Sequence, residues 1–78
     1  MPTVLRIDAY RFFFYANDRS EPQHVHVRRG ENVAKFWLDP VRLERSGGFG
    51  RTELRVIQGM LKEHQAELLE AWHGYFQG

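Results

Sequence analysis

Seventy-eight residues, a formal charge of +1 and no cysteine bound the chain to one small domain without disulfides, thiolate metal ligands or a cysteine nucleophile. Hydrophobic residues at 42% and charged residues at 27% describe a folding chain, not a disordered one, and so small a net charge does not diagnose a nucleic acid or a membrane surface. A spanning helix needs about 18 or more consecutive apolar residues, and no such run occurs.

The opening residues lack the basic, apolar and small-residue order of an export signal, so the expected location is cytoplasmic. A core of this size supplies only about 3 to 5 kcal/mol, and a metal or a partner often adds the remainder. Of the basic residues only Lys35 and Lys62 are lysine. The rest are arginine, whose planar fork suits phosphate and carboxylate. Four histidines make the charge sensitive to pH near neutrality.

The whole chain, 1–78, reads as a single domain. From Thr3 to Asp8 the residues alternate, Leu5 and Ile7 on one side and Val4, Arg6 and Asp8 on the other, which predicts a half-buried strand. A turn at Ala9 and Tyr10 leads into the aromatic run Phe12-Phe13-Phe14-Tyr15, a second strand within about 10–16. Asn17 to Gln23, with Asp18, Ser20 and Pro22, is a breaker cluster and so a loop. His24 to Arg29 alternates again, with Val25 and Val27 on one face and His24, His26 and Arg28 on the other.

Gly30-Glu31 suits a type II′ hairpin turn. Counting outward from it pairs Arg29 with Asn32, Val27 with Ala34, His26 with Lys35 and His24 with Trp37. In that register Val25, Val27, Ala34, Phe36 and Leu38 share one face, and His24, His26, Arg28, Lys35 and Trp37 the other. The fourth strand, 32–39, stops at Pro40. Arg42, Glu44 and Arg45 read as a solvated loop, and the glycines from Gly47 to Gly50 as a joint.

From Arg51 to Phe76 the apolar residues Leu54, Ile57, Leu61, Leu68, Trp72 and Tyr75 recur at helical spacing, with Thr52 as a cap. An unbroken helix over 51–76 would be about 39 Å long, against a ball roughly 30 Å across for a chain of this size. The helix therefore either bends near His64 and Gln65 or projects to meet a second subunit. The expected fold class is α+β: a four-stranded, mainly antiparallel sheet. One face packs on a long carboxy-terminal helix or helix pair and the other is open.

Several segments carry a family resemblance: Pro2-Thr3-Val4-Leu5-Arg6-Ile7, Tyr10 to Tyr15, Asn17-Asp18, Glu21-Pro22-Gln23-His24-Val25-His26-Val27, Ala34 to Leu38, and Leu68-Leu69-Glu70-Ala71-Trp72. Together they make the chain resemble small bacterial proteins grouped as domain of unknown function 4160. Gln23 stands where that pattern has proline, and Ala9 where it has a turn glycine. The resemblance implies a gene beside another small gene, as in toxin–antitoxin pairs, and hence a small antitoxin protein as partner.

The histidine pair admits three functional readings, beside the plain one of a solvated or hydrogen-bonded face. His24 and His26, two apart on a strand, place both rings on one side roughly 7 Å apart, a spacing that spans a phosphate. Metal-independent RNA cleavage needs an acid and a base that work near neutral pH, which histidine supplies. Arg28 and Lys35 would then contact the phosphate, and Tyr15 and Trp37 would give rings for unstacked bases.

A metal reading takes both histidines with Glu21 or Asp18 from the adjoining loop. It ranks below catalysis for want of a further ligand, and no metal or other cofactor is assigned. The third reading is a non-enzymatic module whose aromatic and cationic face, Arg11, Phe13, Tyr15, Arg28, Lys35 and Trp37, binds a protein, a nucleic acid or a second copy of the chain. His64 and His73 read as polar residues of the helix surface. The expectation is thus a toxin-like component directed at RNA.

Overall fold

The computed structural model describes residues 3–77, with side chains to Phe76; Pro2, part of the resemblance, and the ends of the domain assigned to 1–78 lie outside them. Strands β1 (Thr3–Ile7), β2 (Tyr10–Phe13), β3 (His24–Arg29), β4 (Asn32–Leu38) and β5 (Val41–Arg45) are followed by helices α1 (Arg51–Glu63) and α2 (Gln65–Gln77), with a short 3-10 helix at Ala16–Ser20 between β2 and β3. Every neighbouring strand pair is antiparallel, in the order β1-β2-β3-β4-β5. The α+β class holds, with five strands where the sequence predicts four.

The additional strand is β5. Its side chains are exposed except for Val41, and Leu43 remains 42% exposed. An edge strand carrying charge looks like a loop in the sequence, since charge on a sheet edge discourages further pairing. The turn before it contains a cis Asp39–Pro40 bond. The second strand is shorter than expected: β2 ends at Phe13, and residues 14–16 leave the sheet as the chain enters the 3-10 helix. The first turn also lies one residue earlier, at Asp8 and Ala9. Asp8 takes φ 54, a left-handed conformation that aspartate tolerates.

The β3–β4 hairpin has the expected register, from Arg29 opposite Asn32 to His24 opposite Trp37. Gly30 takes φ 62, and Asp8 alone among the described non-glycine residues has a positive φ. The turn therefore bends left-handed at its first central residue only, as type II′ requires.

Alternation along the strands puts Phe12, Val25, Val27, Ala34, Phe36 and Leu38 on one face. Phe14 joins them just beyond β2, and Ile57 and Leu61 of α1 and Leu68 and Trp72 of α2 cover them. Ten of these eleven side chains are 0–1% exposed, Trp72 being 7%. Burial of each large apolar side chain contributes about 1.5 to 3 kcal/mol.

The helical stretch bends where the stripe lapses. α1 ends at His64, whose N–H donates to the Met60 carbonyl at 3.0 Å, and α2 begins at once with Leu68 N–H donating to the His64 carbonyl at 2.9 Å. Gln65 Nε2 donates to the Leu38 carbonyl at 2.6 Å, tying the start of α2 to the end of β4. The bend lets both halves lie on the sheet, and the radius of gyration is 11.5 Å.

Gly50, not Thr52, is the N-cap of α1. In the first turn, Glu53 accepts two bonds from Arg29, one at 2.9 Å and one at 2.5 Å, and one from the Tyr10 hydroxyl at 2.7 Å. This fork joins α1 to β2 and β3. It holds the Glu53 carboxyl below its ordinary range, with the Arg29 bond the largest cause.

Candidate functional site

The face turned away from the helices is organised by strand register into cross-strand rows. One row runs Thr3, Phe13, His26, Lys35, Arg45 and a second Arg6, Arg11, Arg28, Val33; His24, Trp37 and Arg42 form a third at the start of β3. His24 and His26 share a side, as the period of two demands. They are not open to solvent. His24 is 0% and His26 7% exposed, and the 3-10 helix lies over them with Asp18 itself only 8% exposed.

Aromatic rings form the walls. Phe13 stacks on His26 with centroids 5.5 Å apart, and Tyr15 meets His26 edge-on at 4.6 Å. Trp37 and Trp72 flank His24 at 5.7 and 5.2 Å. Trp72 reaches this position from α2, so the α-helical layer closes one end of the face that the 3-10 helix covers.

Asp18 sits between the two imidazoles. Its Oδ2 lies 3.1 Å from His26 Nε2 and also accepts the Tyr15 backbone N–H at 2.8 Å. Its Oδ1 lies 3.1 Å from His24 Nε2, but too far off the ring N–H axis for a hydrogen bond, so that buried nitrogen has no hydrogen-bond partner. On the far side of the ring His24 Nδ1 lies 2.8 Å from the Pro22 carbonyl. A carbonyl oxygen only accepts, so Nδ1 carries a proton. Burial pushes the His26 imidazole below its ordinary pKa, against the pull of Asp18.

Of the residues expected to bind substrate, Arg28 is exposed, its Nε donating to the Gly30 carbonyl at 2.9 Å. Lys35 is 8% exposed; its ammonium donates to Glu21 at 2.5 Å and sits 5.0 Å from the centre of the Trp37 ring. That bond holds the Glu21 carboxyl below its ordinary range. Trp37 is half-buried, and Tyr15 is 38% exposed. The four residues therefore do not form one open surface. His64 pairs with Glu67 at 2.9 Å, and His73 is exposed, 3.4 Å from Gln23, both away from the histidine pair.

Two features escape a strand-by-strand reading of the sequence. The first is which acid joins the histidines: the loop offers Glu21 or Asp18, and Asp18 meets both rings while Glu21 pairs with Lys35. The second is the row Arg6-Arg11-Arg28, with guanidinium-bearing residues directly opposite one another on three adjacent strands. Arg11 lies 5.0 Å over the Phe13 ring, and its Nε and Nη2 are buried without a hydrogen-bond partner. Among the described residues none of the three arginines pairs with a carboxylate.

A cavity of about 480 Å³ lies between β5 and α1, lined by Phe36, Leu43, Phe49, Leu54, Arg51 and Arg55 among others. It is away from the histidines and holds no acid–base pair. None of the described helices is long and apolar enough to cross a membrane.

No curated protein and no solved structure matches the chain. Residues 9–73, which include the aromatic strand, Asp18, both histidines and most of α2, match the family model described as domain of unknown function (DUF4160), and the chain belongs to that family.

Proposed function

We propose that the protein is a non-enzymatic RNA-binding module that grips the phosphate backbone through Arg6, Arg11 and Arg28, the toxin-like half of a two-gene module acting by holding RNA. The observation that carries this reading is the arginine row itself. Like charges directly opposite on a sheet are destabilising, and a buried guanidinium N–H without an acceptor costs about 1 to 3 kcal/mol. A phosphate over the row offsets the like charges, and Arg11 turning outward to meet it satisfies its buried N–H groups with the fork that fits it. Arg42 and Arg45 lie on the same face and extend the positive field, while the exposed Tyr15 ring offers a stacking surface for an unpaired base.

Cleavage by His24 and His26 is the less favoured mechanism on the same ligand. Acid–base work on a phosphodiester needs ring nitrogens within about 3 Å of the reacting oxygens, and here both Nε2 atoms face Asp18 under a covering loop. An acidic protein is the other occupant that an arginine row could meet.

The test is fluorescence anisotropy of a short labelled single-stranded RNA across a salt series, with the intact protein and with the doubly substituted Arg6→Gln, Arg28→Gln protein. Each phosphate contact contributes about −0.7 to the slope of log affinity against log salt. Three contacts give a slope near −2, and the double variant reduces its magnitude by about 1.4. An unchanged slope, absence of RNA binding at low salt, or binding confined to acidic proteins overturns the proposal. Degradation of the RNA that His26→Gln abolishes would restore the catalytic reading.

A further inference from the structure

Asp18, His24 and His26 offer one ligand atom each within 4.8 Å of one another, all three residues buried. Geometry singles out the His24 ring. With Nδ1–H committed to the Pro22 carbonyl, the neutral ring carries a lone pair at Nε2 that points beside Asp18 Oδ1, 3.1 Å away. Two acceptors then lie side by side at 0% exposure of the histidine, where water cannot screen them and an unmet polar group is costly. A second ring proton would point off the line to Oδ1 and leave the nitrogen unpaired in either form. A cation at the convergence of the lone pairs satisfies the arrangement without needing a straight N–H bond.

We propose that Asp18, His24 and His26 form a binding site for a late first-row divalent cation, with zinc as the fitting representative. Nitrogen donors favour this class over calcium and magnesium, which take oxygen. In a tetrahedral zinc site with bonds of about 2.0 to 2.1 Å, neighbouring donors stand about 3.3 to 3.4 Å apart. Each histidine Nε2 lies 3.1 Å from a different oxygen of Asp18 and the set of three donors lies within 4.8 Å, so the ligands draw together by about an ångström on binding.

The surroundings have the form that metal sites use to orient their ligands. The Pro22 carbonyl fixes which nitrogen of His24 is free, and the Tyr15 N–H anchors the Asp18 carboxylate. His26 shifts its proton to Nδ1 on binding. Two histidines and one carboxylate leave a fourth position for a water or an outside ligand.

The cation would clasp the 3-10 helix to β3, and through Trp72 to α2, in a chain with no cysteine to cross-link it. The site stands independently of RNA binding, since the arginine row contributes no ligand to it.

The test uses the full chain, stripped with a chelator and titrated with Zn²⁺ while thermal unfolding is followed, and with Co²⁺ while visible absorption is followed. A cation that binds only the folded state raises Tm by roughly 10 to 20 °C when free metal is about 100 times Kd. The Co²⁺ form shows the intense visible bands of a tetrahedral nitrogen–oxygen site. Asp18→Asn and His26→Gln each abolish both signals, whereas the doubly substituted His64→Gln, His73→Gln protein keeps them. Absence of a Tm rise and of Co²⁺ bands in the unsubstituted protein overturns the proposal. So does a response of equal size in His26→Gln, which remains decisive if Asp18→Asn fails to fold.

Discussion

Replacing Arg11 by methionine should make the free protein more stable while weakening its hold on RNA. Arg11 keeps Nε and Nη2 buried without acceptors and stands opposite Arg6 and Arg28. An unsatisfied buried donor costs about 1 to 3 kcal/mol, and each like-charge neighbour directly across the sheet adds about 0.2 to 1 kcal/mol. Against this, the desolvated guanidinium over Phe13, 5.0 Å from the ring centre, is worth about 2 kcal/mol.

Methionine keeps an unbranched stem and exchanges that contact for a sulfur–aromatic one of about 0.3 to 1.5 kcal/mol. The balance favours the variant by about 1 to 2 kcal/mol. In a domain of this size that raises Tm by about 4 to 8 °C for each kcal/mol. Thermal unfolding followed by circular dichroism reads the shift, and the RNA salt series on the same preparation should lose about 0.7 from its slope. A lower Tm for Arg11→Met would refute the reasoning, since the guanidinium would then be a structural tie rather than a group held unpaired for a ligand.

Two further outcomes test the scaffold. Gly47 and Gly30 have nearly equal φ, 60 and 62, yet a Cβ at Gly47 would lie 1.7 Å from the Val33 carbonyl oxygen whereas one at Gly30 meets nothing within 4 Å. Gly30→Ala should therefore cost only the left-handed penalty of about 1 to 2 kcal/mol. Gly47→Ala should cost at least about 3 kcal/mol more, because β4 backbone must move; equal urea midpoints for the two would contradict the close approach. Glu53 provides a pH test. Its carboxyl is held below the ordinary value of 4.5, so folding favours the ionised form, and the stabilisation is full above the unfolded value and lost as pH falls through the lower folded one. Glu53→Gln should lower Tm at neutral pH by a few degrees and match the unsubstituted protein once the medium is acid enough to protonate the carboxylate; a gap that persists in acid would assign the effect to packing.

Much of this molecule can be read one strand at a time. The period-two pattern of β3 and β4 with a glycine at the first turn position sets the hairpin register, and with it the company of His24, Trp37, His26 and Lys35 on one face. The lapse in the apolar stripe at His64 marks the bend between the helices. The partnership of Arg6 with Arg28 is different, because it depends on two pairings at once, the second across the long connection from residue 14 to residue 23. The strand β5 hides in its own exposed charge.

The composition and periodicity of the chain alone determine an α+β domain with an apolar sheet face under helix and both histidines on the opposite side. These features arise from neighbours in sequence, where backbone geometry dictates which side chains share a face. Only the tertiary structure decides that the histidines are enclosed instead of open, that Asp18 and not Glu21 lies between them, and that three arginines stand in a line. Those outcomes follow from loop closure and from Trp72 packing across the end of the sheet, contacts between distant segments whose geometry no local pattern encodes.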